Sequence, residues 1–391
     1  MALSFFALAS CQRDDEPVSE PENTTPIELS AVTRQSDGSR GIISGVGDLL
    51  GGGFVAWAQW TKDPEDNAVF TSDYASGKTN LVFGERGTSV YATDGNNDGV
   101  FNPAQQSQDT WYYTPRRYWH RGTYIFAAAL PSSAFNPSHA KTALELVGNP
   151  ATGVLSNDGE GTLTLTFSQN FVLGGVTASG TAPAPDAQID LMYAFTTVDN
   201  RDEEATTASL NFVHSCAQLG LRLTSDAQKP LKVKSVTIHG IHKYAESPMA
   251  LTSDQEQNLA SLRDCLTDAG KTTLASSFAQ FNRPVGTSTD WDSVTGDVAQ
   301  AVKLVQDLIV FPEVLSETNP LCIRVTYNDG AAADKYLDAK VTSGEWLPGK
   351  VYTYTLKADS IEIEGGLVGE IVGEPEVTDW QNGVKTEIDI Q

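Results

Sequence analysis

From Ile42 onward the chain is broken into short apolar runs separated by turn residues, a spacing too short for helices and suited to strands. Phe54-Val-Ala-Trp-Ala-Gln-Trp60, Ser89-Val-Tyr91 and Tyr124-Ile-Phe-Ala-Ala-Ala-Leu130 each read as one strand. Leu163-Thr-Leu-Thr-Phe167 alternates strictly, so its leucines and Phe167 share one face and its threonines the other. Gly52-Gly53, Gly95-Asn96, Asp158-Gly159 and Gly174-Gly175 supply the turns. In the second half strands are expected at Ala208–Val213, Leu219–Leu223, Val233–His242, Leu308–Phe311, Cys322–Tyr327 and Val351–Leu356.

One passage departs from this rhythm. Ser253-Asp-Gln-Glu256 has the form of a capping box, and Leu259, Leu262 and Leu266 follow at helical spacing. Val298-Ala-Gln-Ala-Val-Lys-Leu-Val305 reads as a second short helix. At 391 residues the chain exceeds what one hydrophobic core usually serves, so two domains are expected. The most linker-like interior stretch, Ser179-Gly-Thr-Ala-Pro-Ala-Pro185, precedes the charged loop Asp199-Asn-Arg-Asp-Glu-Glu204. The expected units are therefore 41–190, an N-terminal sandwich, and 191–391, a C-terminal sandwich with a terminal strand.

The beginning reads as an address. Ala2–Ala9 is an apolar run too short to span a bilayer, and it ends in Leu8-Ala9-Ser10-Cys11. This resembles the lipobox of bacterial lipoproteins, which implies a signal peptide over 1–10 and a diacylglycerol on Cys11. Behind it, Gln12-Arg13-Asp14-Asp15-Glu16 and Pro17, Pro21 and Pro26 give 11–40 the composition of an extended tether or pro-segment.

Motifs of catalysis are missing from the sequence. It contains no Gly-x-Ser-x-Gly elbow, phosphate loop or His-Glu-x-x-His helix, so no enzyme activity and no cofactor are expected. His239 and His242 stand at a spacing that puts them on opposite faces of a strand, which argues against shared metal ligation. His214 reads as a hydrogen-bonded core or edge histidine. Asp94, Asn96 and Asp98, with Gly99, match the first half of a calcium loop, but Gln105 occupies the position of the bidentate glutamate, and a polar hairpin tip explains the same residues. Cys216, Cys265 and Cys322 lie in apolar surroundings and read as buried free thiols, with a Cys216–Cys322 bridge as the alternative. A net charge of −24 repels phosphate backbones and sets nucleic acid aside as a partner. Trp111, Tyr112, Tyr113, Tyr118 and Trp119 around Arg116-Arg117 fit either a sandwich core or a carbohydrate platform.

Several segments, in order, resemble the Bacteroidales fimbrillin family, the subunits of type V pili. They are Trp111-Tyr-Tyr-Thr-Pro115 through Tyr124-Ile-Phe-Ala-Ala-Ala-Leu-Pro131, Asp190-Leu-Met-Tyr-Ala194, Leu210-Asn-Phe-Val-His214 with Ala217-Gln-Leu-Gly-Leu221, Trp346-Leu-Pro-Gly-Lys350 with Tyr352–Leu356, and Val377-Thr-Asp-Trp380. The resemblance implies a mostly β fold of two transthyretin-like β-sandwich domains, with the short helical insertion in the second. It implies a pilus subunit that partners other fimbrillin subunits, sits in the outer membrane through its lipid, and meets host or bacterial surface glycans or proteins. It also implies assembly by donated strands, after a protease cuts behind an arginine near the N-terminus and releases the lipid and a first strand. Arg34 and Arg40 are the processing candidates; Arg40 is preferred because Gly41-Ile42-Ile43 then opens the folded part. The alternating run Val384-Lys-Thr-Glu-Ile-Asp-Ile390, with Val384, Thr386, Ile388 and Ile390 on one face, is the donor candidate. The alternative reading is a surface glycan-binding lipoprotein of a polysaccharide-uptake system, stacking sugars on Trp111 and Trp119.

Overall fold

The structure is a computed structural model and describes residues 25–33, 53–63, 82–83, 87–92, 111–113, 116–130, 153–157, 161–167, 171–173, 189–225, 232–246, 248–273, 278–282, 302–328, 333–363, 366–371 and 375–379. The first half contributes β1 (Glu28–Thr33), β2 (Phe54–Lys62), β3 (Thr88–Ala92), β4 (Trp111–Tyr112), β5 (Gly122–Leu130), β6 (Gly153–Asn157), β7 (Leu163–Phe167), β8 (Phe171–Val172), β9 (Met192–Asp199) and β10 (Thr207–His214). The second contributes β11 (Ala217–Ser225), β12 (Lys232–His239), β13 (Tyr244–Ala245), β14 (Met249–Thr252), α1 (Gln255–Asp264), β15 (Phe278–Asn282), β16 (Val302–Val310), β17 (Val314–Leu315), β18 (Leu321–Asn328), β19 (Lys335–Val341), β20 (Gly344–Glu345), β21 (Lys350–Ile363), β22 (Gly366–Ile371) and β23 (Glu376–Asp379). The chain is mostly β, as its alternating runs require.

Seven strands form one sheet in the order β1-β10-β9-β5-β2-β3-β4. Its central strand, β5, is apolar from Tyr124 to Leu130 because both of its faces are covered. Tyr124, Phe126, Ala128 and Leu130 point to one core, whereas Ile125, Ala127 and Ala129 point to the other. The second core is closed by the three-stranded sheet β14-β7-β6 and by Leu262 of α1. Its Phe167 and Leu165 come from the strand whose alternation was plain in the sequence, and that strand buries its leucines and Phe167 as expected. A nine-stranded sheet, β15-β12-β18-β19-β22-β21-β11-β16 with β23 alongside β21, carries a third core around Leu219, Leu221, Leu223 and Trp346.

The structure departs from the sequence expectations at four places. First, β9 and β10, expected in the second unit, pair with β5 and β1 and so belong to the first sheet. The Pro-rich stretch that suggested a division at 190/191 says nothing about where the strands after it pair. Second, β13 and β14 of the later half pair with β8 and β7, so their residues share a core with strands of the first half. Third, residues 302–310, expected in part as a helix, are β16, because the ladder with β11 supplies main-chain partners that a short local helix pattern cannot match. Finally, α1 is capped by Asp254, whose Oδ1 accepts the Gln257 N–H at 2.9 Å, one residue later than the expected cap. Ser253 instead uses its Oγ to accept the Leu163 N–H at 2.9 Å, tying the start of the helix to β7.

Gly122 opens β5 with φ +145°, and a Cβ there would lie 2.3 Å from the Thr61 carbonyl oxygen and 2.6 Å from Trp60 Nε1. Gly122→Ala is expected to destabilise the protein by about 1–3 kcal/mol, read from the denaturant unfolding midpoint.

Candidate functional site

The candidate site lies at the β1 edge of the seven-stranded sheet. β1 pairs parallel with β10 and, among the described strands, with no other: Glu28 lies beside Thr207, Leu29 beside Ala208, Ala31 beside Leu210 and Thr33 beside Phe212. Period-two alternation sends Ile27 and Leu29 inward, where they are 0% and 2% exposed, and leaves Glu28 at the surface. The Ser30 hydroxyl donates to that of Ser209 at 3.1 Å on the outer side. Sizes alternate across the pair, the large Leu29 beside the small Ala208 and the small Ala31 beside Leu210. The seat of this segment is buried at Ile27 and Leu29 and half-buried at Ala31.

The head of the strand is held by main-chain hydrogen bonds outside the ladder. Trp119 N–H donates to Thr25 O at 2.9 Å, Ile27 N–H to Arg117 O at 2.8 Å, and Glu28 N–H to Thr206 O at 3.1 Å. Tyr113 Oη donates to Ile27 O at 2.7 Å. Burial pushes the Tyr113 phenol up to about 12, so it stays a neutral donor, with the Arg116 guanidinium 5.4 Å from its ring centroid. The seat floor is aromatic. Trp119 meets Tyr124 edge-on with centroids 4.7 Å apart, and Phe54 lies 5.1 Å from Trp111 and 5.3 Å from Phe212. Trp111 is 3% and Trp119 0% exposed, which settles these two rings as core and removes them as a sugar platform.

The sequence placed residues 28–33 in a tether. They form a strand, and the signal that could have found it is the alternation of Ile27, Leu29 and Ala31 behind Pro26. Cys11, Arg34, Arg40, Asp94, Asn96, Asp98, Val384, Thr386, Ile388 and Ile390 all lie outside the described residues. In sequence Arg34 directly follows the last residue of β1.

Elsewhere the titratable groups are structural. His214 Nδ1 lies 3.0 Å from Asp190 Oδ1, the hydrogen-bonded histidine expected at that strand. His239 ends β12, while His242 lies beyond it with Nδ1 3.0 Å from Glu313 Oε2, and the His242 main-chain N–H donates to Glu313 Oε1 at 3.0 Å. Among the described residues no group of three or more His, Cys, Asp or Glu side chains is arranged to hold a metal ion. Cys216, Cys265 and Cys322 are buried and unbridged, and burial pushes all three thiols up, away from reactivity. β23, whose four residues are all exposed, is tied down by Arg222 Nη1–Glu376 Oε2 at 2.9 Å and by the Lys350–Asp379 pair.

Among solved structures, the chain is similar to a fimbrial protein from Bacteroides vulgatus, with 16% identity, 91% of this chain and 99% of that chain covered, and a TM-score of 0.46. It is also similar to a candidate cell-adhesion protein from Bacteroides ovatus, with 13% identity, 91% and 97% covered, and a TM-score of 0.45. A fimbrial assembly protein from Parabacteroides distasonis matches at 12% identity, with 90% and 98% covered and a TM-score of 0.37. No curated protein matches the sequence. The model of the family described as fimbrillin-like matches residues 67–380, and over that span of the chain the protein belongs to the fimbrillin-like family.

Proposed function

We propose that this chain is a structural and adhesive subunit of a cell-surface fimbria, exported as a lipoprotein on Cys11 and assembled by strand exchange. The observation that carries the reading is the segment 25–33: Ile27 and Leu29 are buried, β1 ladders among the described strands with β10 alone, and it ends at the residue before Arg34. Cleavage behind Arg34 or Arg40 separates β1 from the chain that holds it at high local concentration. Burial of Ile27 and Leu29 contributes about 1.5–3 kcal/mol each, enough to keep a tethered strand seated and small enough for a cut peptide to be displaced. Once β1 leaves, the seat exposes aromatic surface and the unpaired edge of β10, which an incoming strand covers by β-augmentation. The segment 384–390 of another copy is the proposed donor. The lipid on Cys11 then holds the precursor until processing.

The test is size. Full-length chain cut by a trypsin-like protease behind Arg34 or Arg40 is expected to form ladders of non-covalent multimers, whereas the same chain lacking 381–391 stays monomeric. Monomers persisting after confirmed cleavage would overturn the assembly reading.

A further inference from the structure

We infer that the outer face of β12, β18 and β19 is a shallow binding site for a carboxylate-bearing saccharide, with a sugar ring on Tyr336 and the carboxylate at the Lys340 end. This rests on the adhesive part of the reading above and is independent of strand exchange.

The register assembles the face. Val236 and Ile238, Ile323 and Val325, and Leu337 and Ala339 lie in the core around Leu219 and Trp346, so the residues between them point away from it. One row across the three strands is Ser235, Thr326 and Tyr336, and the next is Thr237, Arg324 and Asp338. A third row is His239, Cys322 and Lys340. The two ends differ in chemistry. At the first, the Tyr336 ring is 46% exposed, and the Arg324 guanidinium lies 4.8 Å from its centroid. Arg324 is itself fixed by Asp338, which accepts from Nε at 2.7 Å and from Nη2 at 2.6 Å. The ring is therefore held before any ligand arrives, which lowers the ordering cost of binding. At the other end, about 13 Å along the strand, Lys340 is exposed and makes no ion pair among the described residues. Burial pushes the Cys322 thiol up and the ammoniums of Lys340 and Lys271 pull it back, which places both cations at this end. Burial first, and the Arg324 cation next, hold the His239 imidazole below its ordinary range, so it meets a ligand neutral.

The chemistry between the ends selects the ligand class. Ser235, Thr237 and Thr326 are half-buried, and their hydroxyls make no hydrogen bond to protein among the described residues. Each hydroxyl can donate and accept, which suits the hydroxyls of a sugar. A protein partner is best met by an apolar centre that excludes water, and this face offers a single ring. A sugar asks for one ring to lie against its C–H face and polar groups around it. Charge then selects an acidic sugar. Arg324 and Asp338 neutralise each other, leaving Lys340 and Lys271 as a positive end on a chain of net charge −24. An anionic group is drawn to that end and repelled by the acidic remainder of the surface.

The test is affinity electrophoresis of the uncut full-length chain, its mobility taken relative to a blank gel. Gels carry polygalacturonate, polysialic acid, neutral dextran or polyglutamate. Retardation by at least one of the two acidic polysaccharides is expected, with none by dextran or polyglutamate. Tyr336→Ala and Lys340→Ala are each expected to weaken that retardation about tenfold, and Tyr336→Phe to keep it. Both side chains are exposed, so the unfolding midpoints of these variants are expected to stay where they are. Retardation by neither acidic polysaccharide, or undiminished retardation of Tyr336→Ala, would overturn the site. Equal retardation by polyglutamate would show attraction to any polyanion or an acidic protein partner, and the saccharide assignment would fall. None of these substitutions touches 25–34, so ladders formed after cleavage while no saccharide binds would sink this site and leave the assembly reading standing.

Discussion

Replacing Trp119 by alanine is expected to destabilise the subunit by about 3–5 kcal/mol, seen as a lowered midpoint in guanidinium unfolding. The ring is 0% exposed and packs edge-on against Tyr124 at 4.7 Å and against Phe126 at 5.9 Å. Removing it leaves a void beside Tyr124 and Phe126 that the β5 backbone is too rigidly paired on both sides to fill. Trp119 Nε1 has no hydrogen-bond partner, so Trp119→Phe sacrifices ring volume but no hydrogen bond and is expected to retain most of the stability. The comparison separates two roles for the same residue. A stacking platform for sugars stands in solvent, and its alanine variant loses glycan binding with an unchanged unfolding midpoint. An unchanged midpoint would therefore contradict the buried position of Trp119 and reopen the glycan reading.

What the sequence made legible was the local pattern, and what it hid was the pairing. The alternation at Leu163–Phe167 and the leucine spacing behind Ser253 follow from periodicities of 2 and 3.6, so β7 and α1 could be read one element at a time. For Val298–Val305 the same reasoning failed, because a short apolar run satisfies both periods, and the choice was made by β11, some eighty residues away. β13 and β14 returning to β8 and β7 leaves no trace in the composition of either segment. The candidate site was hidden for the same reason. Its parts come from 25–31, from Tyr113 and 116–119, and from 207–212, and only those after the first look like folded protein in isolation. Pro26 and the polar residues before it made the first stretch resemble a tether. The alternation of Ile27, Leu29 and Ala31 becomes meaningful only beside Ala208 and Leu210. The family resemblance, by contrast, rested on aromatic and apolar residues such as Trp111, Trp119 and Leu210, which the fold uses as core.

Ile27→Asp is expected to make the uncut chain polymerise without a protease. The substitution puts a carboxylate where 0% of the side chain is exposed, in the apolar core that also holds Tyr113 and Trp119. An uncompensated buried charge costs about 3–5 kcal/mol, which shifts the ratio of seated to lifted β1 by roughly two to four orders of magnitude. The chain can escape that cost because lifting 25–33, which breaks the β10 ladder and the hydrogen bonds to Arg117, Trp119 and Tyr113, returns the carboxylate to water while β10, β9 and β5 stay paired. Phe126→Asp places the same charge on β5, which has neighbours on both sides and cannot lift, so that variant is expected to unfold instead. Glu28→Asp, on the exposed face of β1, is expected to leave the chain monomeric and stable. Light scattering on the uncut proteins distinguishes the three, and Ile27→Asp in a chain lacking 381–391 should remain a folded monomer with an open seat. Cooperative unfolding of Ile27→Asp with no multimers would mean that β1 is integral to the sheet rather than a removable occupant, and the seat would lose its claim to be the assembly site.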